Sequence, residues 1–355
     1  MLKHNFSAGP CILPQEVFLE ASKAILNFNN LDLSLIEISH RSKDFVNVIE
    51  EAISLTKELL NIPKEYSVLF LQGGASLEFL MVAINLIKEH GKAVYLDTGT
   101  WSSKAIKEAK IFGETHIIAS SKNENYNYIP KKYIIPKDAC YFHCTSNNTV
   151  FGTQMKDFPK SPISLVCDMS SDIFSRNIDI RQFDLIYAGA QKNLGPAGAT
   201  LVIVKNDILG KTGRIIPTML DYRTHINKNS MFNTPPVFSV YVSMLTLRWL
   251  KKNGGVSCIE KRNIQKADLL YKTIDSNPLF NGTVKKEDRS TMNATFLLND
   301  LKLENKFNAM WKKNGINGLK GHRSVGGYRA SMYNAMNIES VQVLVDVMNE
   351  LEKKA

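Results

Sequence analysis

Lys192 stands in Ala188 to Asn193, AGAQKN, where the apolar run Asp184 to Ala188 gives way to a Gly- and Ala-rich loop. A lysine that condenses with an aldehyde must lose a proton, reach a bound carbonyl and be held by small neighbours, and a strand end opening into such a loop meets those needs. A solvated loop lysine has the same local sequence, so the reading depends on what stands at the neighbouring strand ends. Gln72-Gly73-Gly74-Ala75-Ser76 follows one β-rich run and precedes a helical pattern, which offers free N–H groups to a phosphate, as an ordinary tight turn also would. Asp97-Thr98-Gly99-Thr100-Trp101 places an aromatic plate after a second run, where a core tryptophan would also fit. Ser146-Asn147-Asn148-Thr149 supplies polar groups for a ring hydroxyl or a phosphate, and Asp168, closing SLVCD, is either a buried acid or a helix N-cap.

The elements that must position these residues follow from periodicity. Seven short β-rich runs, 67–71, 93–96, 115–119, 140–143, 164–168, 184–188 and 199–204, alternate with segments such as 76–89 and 102–112 whose apolar spacing is helical. The expectation is an α/β domain with a mostly parallel seven-stranded sheet joined by right-handed crossovers. Between Ala188 and Ala199 there is room for a loop and not for a crossover helix, so the last strand should run antiparallel to its neighbour. Helices are expected at 15–27, 46–60 and 239–252. After Gly254-Gly255 come a helix at 257–275, strand-like pieces near 293–298, a helix at 304–314, a Gly-rich stretch at 315–327 and a closing helix from Ser340 to Leu351. In open α/β sheets ligands bind beyond the C-terminal strand ends, so the polar stretches above should meet in one cleft.

At 355 residues the chain is long enough for two domains, expected as a large one at 16–256 and a smaller α+β one at 257–355 joined by residues 1–15. No run has the length of a membrane span, and MLKHNFSAGP lacks the apolar core of a signal peptide. Five scattered cysteines fit a reduced cytoplasmic setting, and none is part of a metal-ligand pattern, so no metal is expected. The net charge of +10 is spread in lysine doublets with few aromatics between them, which argues against nucleic acid and suits small anionic metabolites. Gly210-Lys211-Thr212 is not a P-loop, because position 205 is Lys205, and no Gly-x-Gly-x-x-Gly follows the first strands.

A lysine and a carboxylate on adjacent strand ends, with a phosphate cradle and an aromatic plate, match the needs of pyridoxal 5′-phosphate. In chain order NFSAGP at 5–10, EISHRS at 37–42, QGGAS at 72–76, DTGTWS at 97–102, SNNTVFGTQ at 146–154, CDMSSD at 167–172, AGAQKNLGPAG at 188–198, FNTPP at 232–236 and GHRSVGGYRASMYNAM at 321–336 cover the chain nearly end to end. This set resembles the phosphoserine aminotransferase family of class-V, pyridoxal-phosphate-dependent transaminases, which have the aspartate-aminotransferase-like fold (fold type I).

The resemblance implies Lys192 as the Schiff-base lysine, Asp168 at the pyridine nitrogen, Trp101 stacked on the ring and Thr149 near the ring hydroxyl. It implies that Ala75, Ser76 and Gln191 hold the cofactor phosphate, with Asn233 and Thr234 reaching it from the neighbouring subunit of a homodimer. His40, Arg41, His322, Arg323 and Arg329 would bind the substrate's anions. The implied reaction takes O-phospho-L-serine and 2-oxoglutarate to 3-phosphooxypyruvate and L-glutamate in serine biosynthesis, with a second activity on 4-phosphohydroxy-L-threonine in pyridoxine biosynthesis. Ser76 departs from members with an arginine there, so part of the substrate-phosphate grip differs. Another fold-type-I transaminase is the alternative; a cysteine desulfurase is disfavoured because the loop 315–327 has no cysteine.

Overall fold

The computed structural model describes residues 3–355. Its centre is a seven-stranded sheet in the order Tyr66–Leu71, Thr200–Lys205, Leu185–Gly189, Ser164–Asp168, Tyr141–Thr145, Lys92–Asp97, Glu114–Ser120. The five strands from Leu185–Gly189 to Glu114–Ser120 are parallel, and Thr200–Lys205 runs antiparallel to both of its neighbours. The short interval before Ala199 therefore has the consequence expected of it. All seven β-rich runs are strands, 164–168 with the same bounds and the other six shifted by a residue or two at their ends.

Alternation along these strands divides the sheet into two buried faces. Val68, Phe70, Val94, Leu96, Phe142, Leu165, Ile186, Leu201 and Ile203 pack with the helices Gln15–Leu26, Lys43–Leu59 and Val237–Lys252. Leu69, Leu71, Tyr95, Tyr141, Val166, Leu185, Tyr187, Val202 and Val204 pack with Gly74–Leu86, Thr100–Ala109 and Tyr222–Asn227. A one-residue slip of any central strand would exchange its two buried sets, so register is fixed by packing on both sides. Helix starts are set locally: Ser42 Oγ accepts from Phe45 N, and Asn337 Oδ1 accepts from Ser340 N.

A third apolar cluster joins Phe6 to residues between Ala267 and Leu351. It fills the space between a three-stranded antiparallel sheet, ordered Tyr328–Ser331, Asn293–Leu298, Phe280–Gly282, and the helices Gly255–Ser276, Glu304–Lys313 and Ile338–Lys353. Helix Gly255–Ser276 belongs to two cores, with Val256 and Ile259 in the large one and Ala267, Leu270 and Ile274 in the small one. The strand Tyr328–Ser331 begins just past the Gly-rich stretch, and His4–Asn5 pairs in parallel with Ile316–Asn317. Among the described residues no helix is long and apolar enough to cross a membrane.

Candidate active site

A cavity of about 430 Å³ opens where the C-terminal ends of the parallel strands meet the small sheet, and Gly73, Ala75, Ser76, Trp101, Thr149, Asp168, Gln191, Lys192, His322 and Arg329 all line it. Each arrives by a local device. Gly73 sits at φ +89°, and a Cβ there would lie 2.5 Å from Leu77, so the turn into helix Gly74–Leu86 needs glycine. Ala75 and Ser76, in the first turn of that helix, therefore line the cavity at a helix N-terminus, where free amides and the dipole favour an anion.

Trp101 lies in the first turn of helix Thr100–Ala109, and that start is anchored by buried Asp97. The Asp97 carboxylate accepts from Ser102, Ser103, Ser120 and Tyr126. Ser102 Oγ also accepts from the Thr98 and Gly99 amides at 3.0 Å. Trp101 Nε1 is buried without a hydrogen-bond partner, and Lys192 Nζ lies 5.7 Å from the centre of the indole.

Asp168 ends its strand and is buried; its Oδ1 accepts from Ser170 N at 2.9 Å, while Ser170 Oγ accepts from Gly189 N on the adjacent strand. Burial raises the Asp168 pKa, opposed by the Ser170 contact and the charge of Lys192. Behind it, Asp172 gathers Ser146 Oγ, Gln154 Nε2 at 3.2 Å and Arg176 Nη2 at 3.1 Å. This second carboxylate fixes the turn that carries Asp168.

Lys192 is buried, and its Nζ donates to Thr149 Oγ1 at 2.9 Å. Burial brings its pKa down to about 8, with Asp168 pulling the other way and Arg329 adding to the fall. Its loop is held by the Ala190 carbonyl, which accepts from the Lys192 and Gly195 amides at 2.7 Å, and by the Cys11 thiol, which donates to the Lys192 carbonyl at 2.8 Å. Arg329, on the strand Tyr328–Ser331, donates from Nη1 to the Thr149 carbonyl at 3.1 Å, and its Nε is buried and unpartnered. His322 Nδ1 accepts from both the hydroxyl and the amide of Ser324, so the neutral ring carries its proton on Nε2.

Ala75, Ser76, Trp101, Thr149, Asp168, Gln191, Lys192, His322 and Arg329 thus share one cavity within a single chain. Arg323 is exposed beside His322 and does not line it. His40 is buried and Arg41 exposed, both outside the cavity lining, and Asn233 and Thr234 are exposed on the segment that follows helix Tyr222–Asn227. Sequence reasoning gave no role to Ala8 and Gly9, which line the cavity from the N-terminal segment. A Cβ on Gly9 would lie 3.4 Å from Lys192 Cγ, so the signal was a glycine in NFSAGP that marks a close approach.

The description aminotransferase class-V matches residues 3–344. A phosphoserine aminotransferase of Flavobacterium psychrophilum is 70% identical, over 100% of both chains. A solved phosphoserine aminotransferase, studied for radiation damage of its Schiff base, superposes with a TM-score of 0.97 at 48% identity, covering 100% of each chain. The PLP-bound phosphoserine aminotransferase of Trichomonas vaginalis superposes with a TM-score of 0.93 at 37% identity, covering 98% of this chain and 100% of that one. With a buried lysine and carboxylate at neighbouring strand ends and relatives matching over its whole length, the chain belongs to the class-V aminotransferases, within their phosphoserine aminotransferase branch.

Proposed function

We propose that the protein is a pyridoxal 5′-phosphate-dependent transaminase that moves the amino group between O-phospho-L-serine and 2-oxoglutarate, giving 3-phosphooxypyruvate and L-glutamate. The observation that carries this reading is the buried Lys192 amine facing Trp101 in a cavity that also holds Asp168 and a helix N-terminus. The residues fit the cofactor. Ala75, Ser76 and Gln191 would hold its phosphate, Trp101 its ring face, Thr149 its ring hydroxyl and Asp168 its ring nitrogen. When bound, pyridoxal phosphate supplies an aldehyde carbon that condenses with amines and a ring that accepts electrons from the substrate Cα.

The chain's own residues do the rest. With the cofactor bound, Lys192 would carry the proton to and from the substrate Cα, work for which a pKa near 8 suits it. Asp168, buried beside Ser170, would keep a proton on the ring nitrogen by presenting a negative charge that has few competing partners. Arg329 aims its guanidinium into the cavity and would fork onto the α-carboxylate that every amino and keto acid substrate shares. His322, Arg323, His40 and Arg41 would form the pocket for the second anion, phosphate or distal carboxylate. The phosphorylated hydroxythreonine of pyridoxine biosynthesis carries the same pair of anions and is proposed as a further substrate.

The site is proposed to be completed in a homodimer, with Asn233 and Thr234 reaching the neighbour's cofactor phosphate. Support comes from the apolar surface along the same segment, where Ile215 is 98% exposed and Met219, Phe232 and Phe238 are also exposed. A division into domains at 16–256 and 257–355 with 1–15 is supported by the separate cluster that includes Phe6 and Leu351. The cytoplasm is the proposed setting, in line with the free cysteines Cys11, Cys140, Cys144, Cys167 and Cys258.

The test pairs a visible absorption spectrum of the purified protein with turnover of phosphoserine, serine and alanine against 2-oxoglutarate. A cofactor band and a strong preference for phosphoserine are expected. Equal turnover of serine and phosphoserine would overturn the substrate assignment.

A further inference from the structure

The segment from Thr218 to Pro236 carries Asn233 and Thr234 outward, yet it is fastened along its length to the strand and helix that form the phosphate cradle. Near its end Gln72 Nε2, next to Gly73 of the cradle, donates to the Thr234 carbonyl at 2.6 Å. Ser230 Oγ accepts from Phe70 N at 3.0 Å. Near its start Asn85 Nδ2 donates to the Leu220 carbonyl at 2.6 Å, and Asn85 Oδ1 accepts from Tyr222 N at 3.3 Å.

Between these fastenings lies a contact of a different kind. Tyr222 OH donates to Glu78 Oε2 at 2.5 Å, and both residues are wholly buried. Glu78 stands in helix Gly74–Leu86, one turn beyond the cradle, and Tyr222 begins helix Tyr222–Asn227. Tyr222 packs within the apolar cluster of Leu69, Phe79 and Tyr187, and Glu78 Oε1 has no hydrogen-bond partner. A carboxyl group in such surroundings carries a desolvation cost that an apolar pair of similar volume would not. In exchange it fixes one relative position of two helices whose apolar faces alone would slide, since moving either helix strands both polar groups.

We propose that Glu78 and Tyr222 are positioning residues that hold the segment 218–236 where Thr234 meets the cofactor phosphate of a second copy of this chain. The helix that cradles one protomer's phosphate thereby sets the contact made to the other protomer's phosphate. This rests on the cross-subunit reading of Asn233 and Thr234 given above.

The test is a double-mutant cycle on cofactor affinity, read by titrating the cofactor-free full-length chain with pyridoxal phosphate and following its fluorescence. Thr234→Ala, Glu78→Leu, Tyr222→Phe and the two combinations with Thr234→Ala are compared with the unaltered chain. Each single variant should bind about three- to tenfold more weakly, the loss of one hydrogen bond. If Glu78 and Tyr222 act through Thr234, adding either change to Thr234→Ala should weaken binding by less than about twofold more. Multiplicative losses in the combinations, or unaltered affinity in both Glu78→Leu and Tyr222→Phe, would overturn the inference while leaving the cross-subunit contact standing. Unaltered affinity in Thr234→Ala would remove that contact and the inference with it. Tyr222→Phe, which deletes a single hydroxyl, decides the matter if Glu78→Leu does not fold.

Discussion

Lys192 Nζ donates to Thr149 Oγ1 at 2.9 Å, so the amine that would do the chemistry is aimed from its tip by the residue expected beside the cofactor's ring hydroxyl. The same threonine accepts Arg329 Nη1 through its carbonyl at 3.1 Å. One residue therefore aligns both the proposed proton carrier and the proposed carboxylate fork.

Removing the amine tests the centre of this arrangement. Lys192→Ala should lose roughly 10²–10⁴-fold or more in transamination, the range for a positioned proton-transfer group. Borohydride should fix pyridoxal phosphate to the unaltered chain and not to this variant. Labelling of another lysine, or retained turnover, would contradict the assignment.

Acidity supplies a second prediction. An amine attacks an aldehyde only when unprotonated, and burial brings Lys192 from 10.5 to about 8. The rate at which the cofactor-free chain captures pyridoxal phosphate should rise about tenfold per pH unit below that value and level off above it. A plateau reached only in the ordinary lysine range would show that the amine is not desolvated.

Subunit mixing examines the shared site. After exchange, Lys192→Ala and Thr234→Ala dimers should form heterodimers in which one site carries both defects and the other neither. Activity should rise above that of either parent preparation. No recovery, with exchange proven by mass, would place Thr234 in its own chain's site or outside it.

Specificity separates the two arginines. Arg329 lines the cavity with its Nε buried and unpartnered, whereas Arg323 is exposed beside His322 and outside the lining. Arg329→Ala should cut kcat/KM for phosphoserine, glutamate and alanine alike by roughly ten- to a hundredfold, about 1.5–3 kcal/mol for a charge-assisted contact. Arg323→Ala should do so for phosphoserine and glutamate and leave alanine nearly unaffected. Equal losses for alanine and phosphoserine in Arg323→Ala would remove it from the distal-anion pocket.

Much of this fold is legible because it rests on local alternation. The run at 164–168 is the strand Ser164–Asp168, and the interval too short for a crossover is the antiparallel turn that presents Lys192. Elements defined by partners rather than by their own pattern were missed: the six-residue helix Tyr222–Asn227, the three-residue strand Phe280–Gly282 and the pairing of His4–Asn5 with Ile316–Asn317. The strand-end rule places the polar stretches around the cavity because parallel strands align their C-terminal ends by topology. No such rule brings Ala8 into the cavity or Gly9 against Lys192, since both depend on where the N-terminal segment packs. Nor could local pattern reveal that Asp97 anchors the helix carrying Trp101, because its partners Ser120 and Tyr126 come from later elements.

The antiparallel strand Thr200–Lys205 also orders events in time. The edge strand Tyr66–Leu71 pairs in the sheet only with Thr200–Lys205, Leu71 lying opposite Thr200. During synthesis Leu71 is made long before Thr200, so the strand leading into Gly73 and Gly74 waits unpaired while the parallel strands between them are assembled. A nascent chain ending just short of Thr200 already contains Lys192 and Asp168, but the strand that leads into Gly73 and Gly74 still lacks its partner in the sheet. The turn at Gly73 and Gly74 consequently gains its full sheet support only when residues 200–205 pair with residues 66–71, after both Asp168 and Lys192 have been made.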